Sequence, residues 1–294
     1  MKRLKIGLII LTALFLAGCR TIPARRTVDP VELLDNESAF YIAIPKSADN
    51  ELIRRVIKNN IQNISDSDVK NISERINKVY FGLTHSKNNT EIQAAIDSDI
   101  PVSFIPKVLN KHNGWNTEIF TPDNSTSEYP VYSYNDLSLS FPNDKIACLG
   151  RGMPYMLSRY DSLSSLPAED INLYSELDDD LVNYLKGAET EIRFFANRPQ
   201  SFLTILTGTQ LDLKLIDVKG SFISDSKHES QYILNLDFNF RNDKYLKAGK
   251  TLLTLAFGLT NSQSVIIGTN ELQINGIRID KNQLYKLLVL ENLK

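Results

Sequence analysis

Ten residues, QYILNLDFNF (Gln231–Phe240), leave this chain little choice of structure. Tyr232, Leu234, Leu236, Phe238 and Phe240 alternate without interruption against Ile233, Asn235, Asp237 and Asn239. Successive strand side chains point to opposite sides, so the stretch predicts a strand with one buried face and one mostly wet face. Such a strand needs antiparallel neighbours. LDLKLIDVKGSFIS (211–224) supplies one, and its change of phase at Leu215-Ile216 predicts a β-bulge.

Other segments extend the pattern. AFYIAIP (39–45) and EIRFFANRP (191–199) read as strands that each run into a proline, and helical spacing follows both, in DNELIRRVIKNNIQNI (49–64) and QSFLTILTG (200–208). SDSDVKNISERINKVYFGL (65–83) predicts one long helix, with Val69, Ile72, Ile76, Val79 and Leu83 stepping by three and four behind a Ser65–Asp68 capping box. EIQAAID (91–97) predicts a strand, and 105–111 a short helix. Residues 114–128 read as a long surface loop. VYSYNDLSLSF (131–141) predicts one strand that PND (142–144) turns into KIACLG (145–150), and MPYMLSRYDSL (153–163) predicts a helix. DKYLKAGKTLLTLAFGLT (243–260) predicts a helix despite Gly249, followed by strands at 264–268 and 271–279 and a last helix capped by Asp280 and Gln283.

Adjacent strands mixed with capped helices, without strict β-α-β alternation, predict an α+β fold. A polar, acidic stretch at 164–180 divides the chain into two lobes, residues 37–165 and 166–294, each expected to be a mostly antiparallel sheet with helices packed on one face. FGLT occurs at 81–84 and again at 257–260, which raises an internal duplication.

The first residues carry an address. Lys2, Arg3 and Lys5 precede a 12-residue apolar or small run, Ile6–Ala17, too short to span a hydrocarbon core that needs about 20 residues. The form is that of a secretory signal. Leu16-Ala17-Gly18-Cys19 resembles the lipobox of bacterial lipoprotein signal peptides at every position. The resemblance covers residues 1–19 only. It implies removal of residues 1–18, a diacylglyceryl group on the Cys19 thiol, and often an acyl group on the new amine. A thiolate is the nucleophile that chemistry needs, and several chains hold a soluble body at a membrane where one binds marginally. Residues 19–36, with Pro23, Pro30 and the pair Arg25-Arg26, then read as a lipidated tether. The implied location is the bacterial envelope, on a membrane facing the periplasm or the cell exterior.

Removal of Lys2, Arg3 and Lys5 reduces the 33 Lys+Arg to 30 against 35 Asp+Glu, a formal charge of −5. Nucleic acid is therefore not an expected partner. One cysteine, Cys148, remains beside Cys19 and reads as a small core residue. The histidines, His85, His112 and His228, are scattered without metal-ligand spacing, so no metal and no cofactor other than the Cys19 lipid is expected. The acidic run LDDDL (177–181) reads as helix N-terminal charge rather than a calcium loop. GRGMP (150–154) offers Arg151 as a candidate anion contact, although phosphate-loop fingerprints are absent. Trp115, Phe120, Tyr129, Tyr132 and Tyr134 form an aromatic zone that fits either a strand core or an interface.

No catalytic constellation emerges. The leading expectation is an envelope lipoprotein that binds or scaffolds another envelope component without enzymatic activity. A membrane-tethered hydrolase using distant carboxylates is a second reading. A carrier of an apolar ligand between the lobes is a third, and it requires an apolar cavity of several hundred Å³.

Overall fold

The structure, a computed structural model, describes residues 26–61, 64–86, 89–135, 137–150, 152–167, 176–207, 210–259 and 263–288. Cys19, its lipobox and Arg151 lie outside them.

Among the described residues twelve strands form one sheet, antiparallel at every pairing: β1 (Phe40–Pro45), β2 (Ile76–Ser86), β3 (Asn89–Ser98), β4 (Asn116–Phe120), β5 (Tyr129–Tyr134), β6 (Leu137–Asn143), β7 (Ile146–Gly150), β8 (Ile192–Ala196), β9 (Leu215–Ser224), β10 (Gln231–Phe240), β11 (Ser264–Ile266) and β12 (Glu271–Asp280). Their order across the sheet is β11-β12-β10-β9-β8-β1-β2-β3-β7-β6-β5-β4. The α+β class expected from the sequence stands. The arrangement differs from the expected one in that the two halves do not carry separate sheets. β8 to β12 lie together, β1 to β7 lie together, and β1 joins β8 edge to edge with Phe40 opposite Ala196. Phe40, Phe194, Phe202 and Phe222 stack across that seam, with centroids 4.6–5.7 Å apart.

Helices cover both faces rather than one. α1 (Lys46–Asn60), α2 (Asp66–Glu74), α6 (Pro199–Thr207), α7 (Asp243–Ala256) and α8 (Lys281–Leu288) pack with Phe40, Ile42 and Ile44 of β1 in one core. The short α3 (Ile105–Val108) covers the far end of that face with Leu139, Phe141 and Ala147. α4 (Met153–Ser164), α5 (Asp179–Lys186) and a 3₁₀ turn (Pro30–Leu33) pack with Tyr41 and Ala43 on the opposite face. Strand alternation thus separates the two cores residue by residue along β1.

The alternating strand behaves as its sequence requires. The five even-numbered side chains of β10 are buried, and its register with β9 shifts at Phe240↔Leu215, where the bulge falls on Ile216. α7 lies on the same face because Gly249 is closely approached by Phe240: a Cβ there would come 2.3 Å from the ring.

Three local expectations are corrected. The long helix predicted over 65–83 stops at Glu74, and Ile76–Ser86 is β2. A register shift between Ile76 and Lys78 turns both Ile76 and Val79 to the same core, so a bulged strand imitates a helical step of three. The predicted loop 114–128 contains β4, an edge strand whose residues are all at least partly exposed; with no buried face it leaves no alternating signature. VYSYNDLSLSF forms two strands, β5 and β6, reversed at Asn135, whose φ is +52°. The FGLT copies also diverge. The first lies inside β2, while residues 257–259 of the second follow α7, so the repeat marks no equivalent positions.

Candidate ligand cavity

α1 builds the first wall of a large apolar cavity. Its Leu52, Ile53, Val56 and Ile57 recur at helical spacing and face the sheet. Asp49 breaks the helix near its start and accepts the Leu52 N–H at 2.9 Å, setting where the apolar face begins. α3 and the preceding 3₁₀ turn (Val102–Phe104) supply the opposite wall through Phe104, Ile105 and Val108. α1 sits over β1 and β2, and α3 belongs to the core of β6 and β7. Between them β3 presents Ala94, and β7 presents Ala147. Side chains this small leave the gap unfilled.

The result is a cavity of about 400 Å³, floored by β1, β2, β3, β6 and β7 and reached at one point by Leu288 of α8. Its polar lining is limited to Asn59, Tyr134, Asn135 and backbone at Gly150. Among the described residues no Asp, Glu, Lys, Arg or His lines it. Asn59, Phe104 and Asn135 are exposed and form its rim. Cavities of this size and lining suit apolar ligands.

A polar cluster pins α1 at one end. The Tyr232 hydroxyl donates to Asp49 Oδ2 at 2.7 Å, and Lys281 Nζ lies 3.0 Å from the same oxygen. Burial alone would raise the Asp49 carboxyl, but the Leu52 N–H, Tyr232 and Lys281 together hold it below the usual carboxylate range. Burial pushes the Tyr232 hydroxyl far up, and the Asp49 charge adds to that. Arg55 donates to Asn282 at 3.0 Å and stacks 3.9 Å over the Tyr285 ring. α1 is thereby tied to β10 and α8.

The aromatic zone singled out in the sequence is split by β5. Tyr132 and Trp115 are buried with Leu139 and Phe141, and Trp115 packs 5.5 Å from Tyr134, which lines the cavity. Tyr129 is buried on the opposite face, where Phe120 packs against the same core. Burial and the Asp161 carboxylate raise the Tyr129 hydroxyl to about 12. The structure brings Trp115, Tyr132 and Tyr134 together and leaves Phe120 and Tyr129 across the sheet.

The remaining candidates have local roles. Asp178 caps α5 by accepting the Asp180 and Leu181 N–H groups. Burial pushes the Cys148 thiol up to about 12, which suits a packing residue rather than a nucleophile. Gly150 has φ +137° and lies against the Ile92 carbonyl, where a Cβ would come within 2.1 Å. His228 pairs with Asp225 at 3.0 Å, Arg278 approaches the same oxygen at 3.3 Å, and the Lys227 N–H and His228 hold the Asp225 carboxyl at about 2. Sequence reasoning missed Asn59, Ala94, Phe104 and Ala147. The one signal available was the pair of alanines at inward positions of β3 and β7.

The fold has known relatives. Crystal form I of TP0453 superimposes with a TM-score of 0.66 at 20% identity, covering 90% of this chain and 98% of that one. Form III gives 0.65 at 19%, covering 89% and 98%, and form IV gives 0.62 at 18%, covering 89% and 97%. No curated protein matches the chain. The family model described as "Outer membrane-associated lipoprotein TP0453" matches residues 25–285, so this chain belongs to that family and is an envelope lipoprotein.

Proposed function

We propose that this envelope lipoprotein holds the acyl chain of a lipid in the cavity between α1 and α3, while lipid on Cys19 anchors it to a membrane. The observation that carries the reading is the cavity itself: about 400 Å³, walled mostly by aliphatic side chains and, among the described residues, lined by no ionisable acid or base of the Asp, Glu, Lys, Arg or His types. Burying apolar surface is favourable by roughly 25 cal/mol per Å². A charged head group finds no counter-ion inside and stays at the rim, beside Asn59 and Asn135. This reading takes up the carrier alternative, with the ligand seated among β1 to β7 instead of between two lobes.

Mass spectrometry of protein purified from native membranes tests both parts. The expected result is a diacylglyceryl adduct on Cys19 and a co-purifying acyl lipid. The double variant Ala94→Leu/Ala147→Leu, still folded by circular dichroism, should lose the lipid. Retention of the same lipid stoichiometry by that variant sinks the cavity reading.

A protein partner is the second reading. Leu252 and Leu255 on α7 and Val265, Ile266 and Ile267 at β11 are all exposed, and Lys250 joins the two elements by donating to the Ser264 carbonyl. Exposed apolar clusters of this kind mark contact surfaces. A photocrosslinker at Leu255 should capture one defined envelope protein in intact cells, and uncrosslinked protein there would remove the reading.

A further inference from the structure

We infer that the sheet face formed by β9, β10 and β12 beyond α5 binds the hydroxyl groups of an uncharged glycan. Ala43, Arg193, Ser221 and Asn235 stand opposite one another along neighbouring strands, and Ala43 belongs to the core under α4 and α5. The surface therefore lies across the sheet from the cavity, and it does not depend on the acyl-chain reading.

β10 breaks a strand preference there. Its outward positions include Asn235, Asp237 and Asn239, although the strand is flanked on both sides by β9 and β12. Asn and Asp are among the poorest strand formers, and Thr would meet the same wet face at lower cost. Asp217 and Ser221 of β9 and Gln273 of β12 extend the set. All six positions are half-buried, and among the described residues no hydrophobic core covers them. Sequences depart from local preference in this way at functional positions. The side chains are also held in place. Asn270 Nδ2 donates to Asn239 Oδ1 at 3.2 Å, and Asn239 Nδ2 donates to Asp217 Oδ2 at 3.1 Å. Gln273 Nε2 donates to Asp237 Oδ1 at 2.9 Å, and Asn235 Oδ1 accepts the Gly276 N–H at 3.1 Å. Among the described residues Gln273 Oε1, Asp237 Oδ2 and Asn235 Nδ2 take no further partner, so two acceptors and a donor stay open in fixed positions.

The chemistry of the patch selects its occupant. Arg193 and Lys219 stand among Asp217, Asp237 and Glu271, so neither sign dominates and no field draws a polyanion or a polycation. Protein interfaces exclude charge from their centres and concentrate aromatic rings there. Here the centre is Asp237, between Lys219 and Gln273, and the aromatic ring stands at the border. That ring is Tyr184 of α5, whose hydroxyl donates to the Gly220 carbonyl at 2.8 Å, with the Arg193 guanidinium and Lys219 Nζ 5.3 and 5.7 Å from its centroid. A hydroxyl group both donates and accepts, so adjacent hydroxyls of a sugar ring match a mixed array of amides and carboxylates. Strands lie about 4.8 Å apart, close to the length of one pyranose. Successive sugars running across the strands therefore meet successive side chains, and the Tyr184 ring offers an apolar edge for a sugar's C–H face.

The test irradiates lipidated protein in detergent with a chitotetraose and, separately, a digalactoside, each bearing a diazirine on its aglycone. Parallel samples contain excess unlabelled sugar, and adducts are located by mass spectrometry. The expected result is adducts on peptides of β9, β10 or β12 that the unlabelled sugar competes away. Capture of the first probe assigns a wall glycan as the source and capture of the second a glycolipid head group, and either supports the inference. The double variant Asp237→Thr/Gln273→Thr separates a ligand role from a structural one. A cross-strand Thr–Thr pair suits a sheet, so the urea midpoint should hold or rise, while adducts should fall about tenfold. Unchanged adducts in that variant overturn the inference. A lowered urea midpoint does so too, since it makes the pair structural. Absence of competed adducts from both probes also overturns it, whether or not a photocrosslinker at the exposed Asn275 captures an envelope protein there instead.

Discussion

The two faces of β1 meet different surroundings, although their residues alternate along six positions. Tyr41 and Ala43 look onto a face closed by α4, α5 and the docked Arg26–Leu34 segment, where ion pairs and backbone contacts tie the covering elements together. Phe40 and Ile42 look onto aromatic packing at the seam, but Ile44 opens on the cavity. The difference is not one of hydrophobicity, since both faces are apolar. It lies in how the cover is fastened. The first cover is pinned at several points, whereas over β3 the walls α1 and α3 stand on either side of the cavity.

Breaking a pin is the most disruptive test of that comparison. Glu32 is buried, pairs with Arg26, and its carboxylate also accepts the Asp29 N–H at 3.1 Å. Glu32→Ala removes the buried carboxylate that Arg26 pairs with and should cost up to about 3–5 kcal/mol, read from urea unfolding. It should also make the bond after Arg26 sensitive to protease while the α1 side stays protected. A loss under 1 kcal/mol would mean that the segment is not a fastening.

Neighbouring alanines sharpen the contrast. Ala94 and Ala95 are adjacent on β3 and both fully buried, but Ala94 lines the cavity and Ala95 lies between Tyr80 and Cys148 on the closed face. Ala95→Leu should overpack and destabilise by about 1–3 kcal/mol. Ala94→Leu has room and should leave stability nearly unchanged or raised. Equal losses from the two would show that the cavity wall is no looser than the closed face.

Much of this fold was legible because sheet and helix periods differ. Asp280 before α8, the bulge at Ile216 and the alternation of β10 all follow from short-range pattern. Misreadings arose where a local pattern had two physical causes, as when the bulge at Ile76 produced a step of three inside a strand. An edge strand such as β4 leaves no pattern because neither face is buried. The cavity was illegible for another reason. It is made by α1, β3, β7 and α3, distant in sequence, and its lining residues are the same aliphatic types that fill a core. Only the packing distance between walls distinguishes the two, and no single segment encodes it.

The caps offer a smaller effect on the closed face. Asp178→Ala removes the acceptor for two N–H groups at the start of α5 and should cost about 1 kcal/mol in urea unfolding. Because α5 carries Lys186, the partner of Asp29, the loss should couple to that of Glu32→Ala, so that the double variant loses less than the sum. Strict additivity would separate α5 from the docked segment.

The smallest effect concerns the turn between β9 and β10, which belongs to neither packed face. Asp225 accepts the Lys227 N–H at 2.8 Å and meets His228 and Arg278, and its carboxyl sits at about 2 against an ordinary 3.8. A depressed folded-state value means the ionised form is favoured by folding. The contribution is therefore complete above about pH 4 and disappears as pH falls through about 2. His228 and Arg278 are both more than half exposed, so solvent screens the pairing. Carboxyl NMR titration should find the Asp225 midpoint well below the ordinary aspartate value, and Asp225→Asn should lower the unfolding midpoint at pH 6 but not at pH 2. An ordinary midpoint for Asp225 would show that the turn is held by its backbone bonds, Asp225 N–H to the Gln231 carbonyl and Gln231 N–H to the His228 carbonyl, and not by the charge.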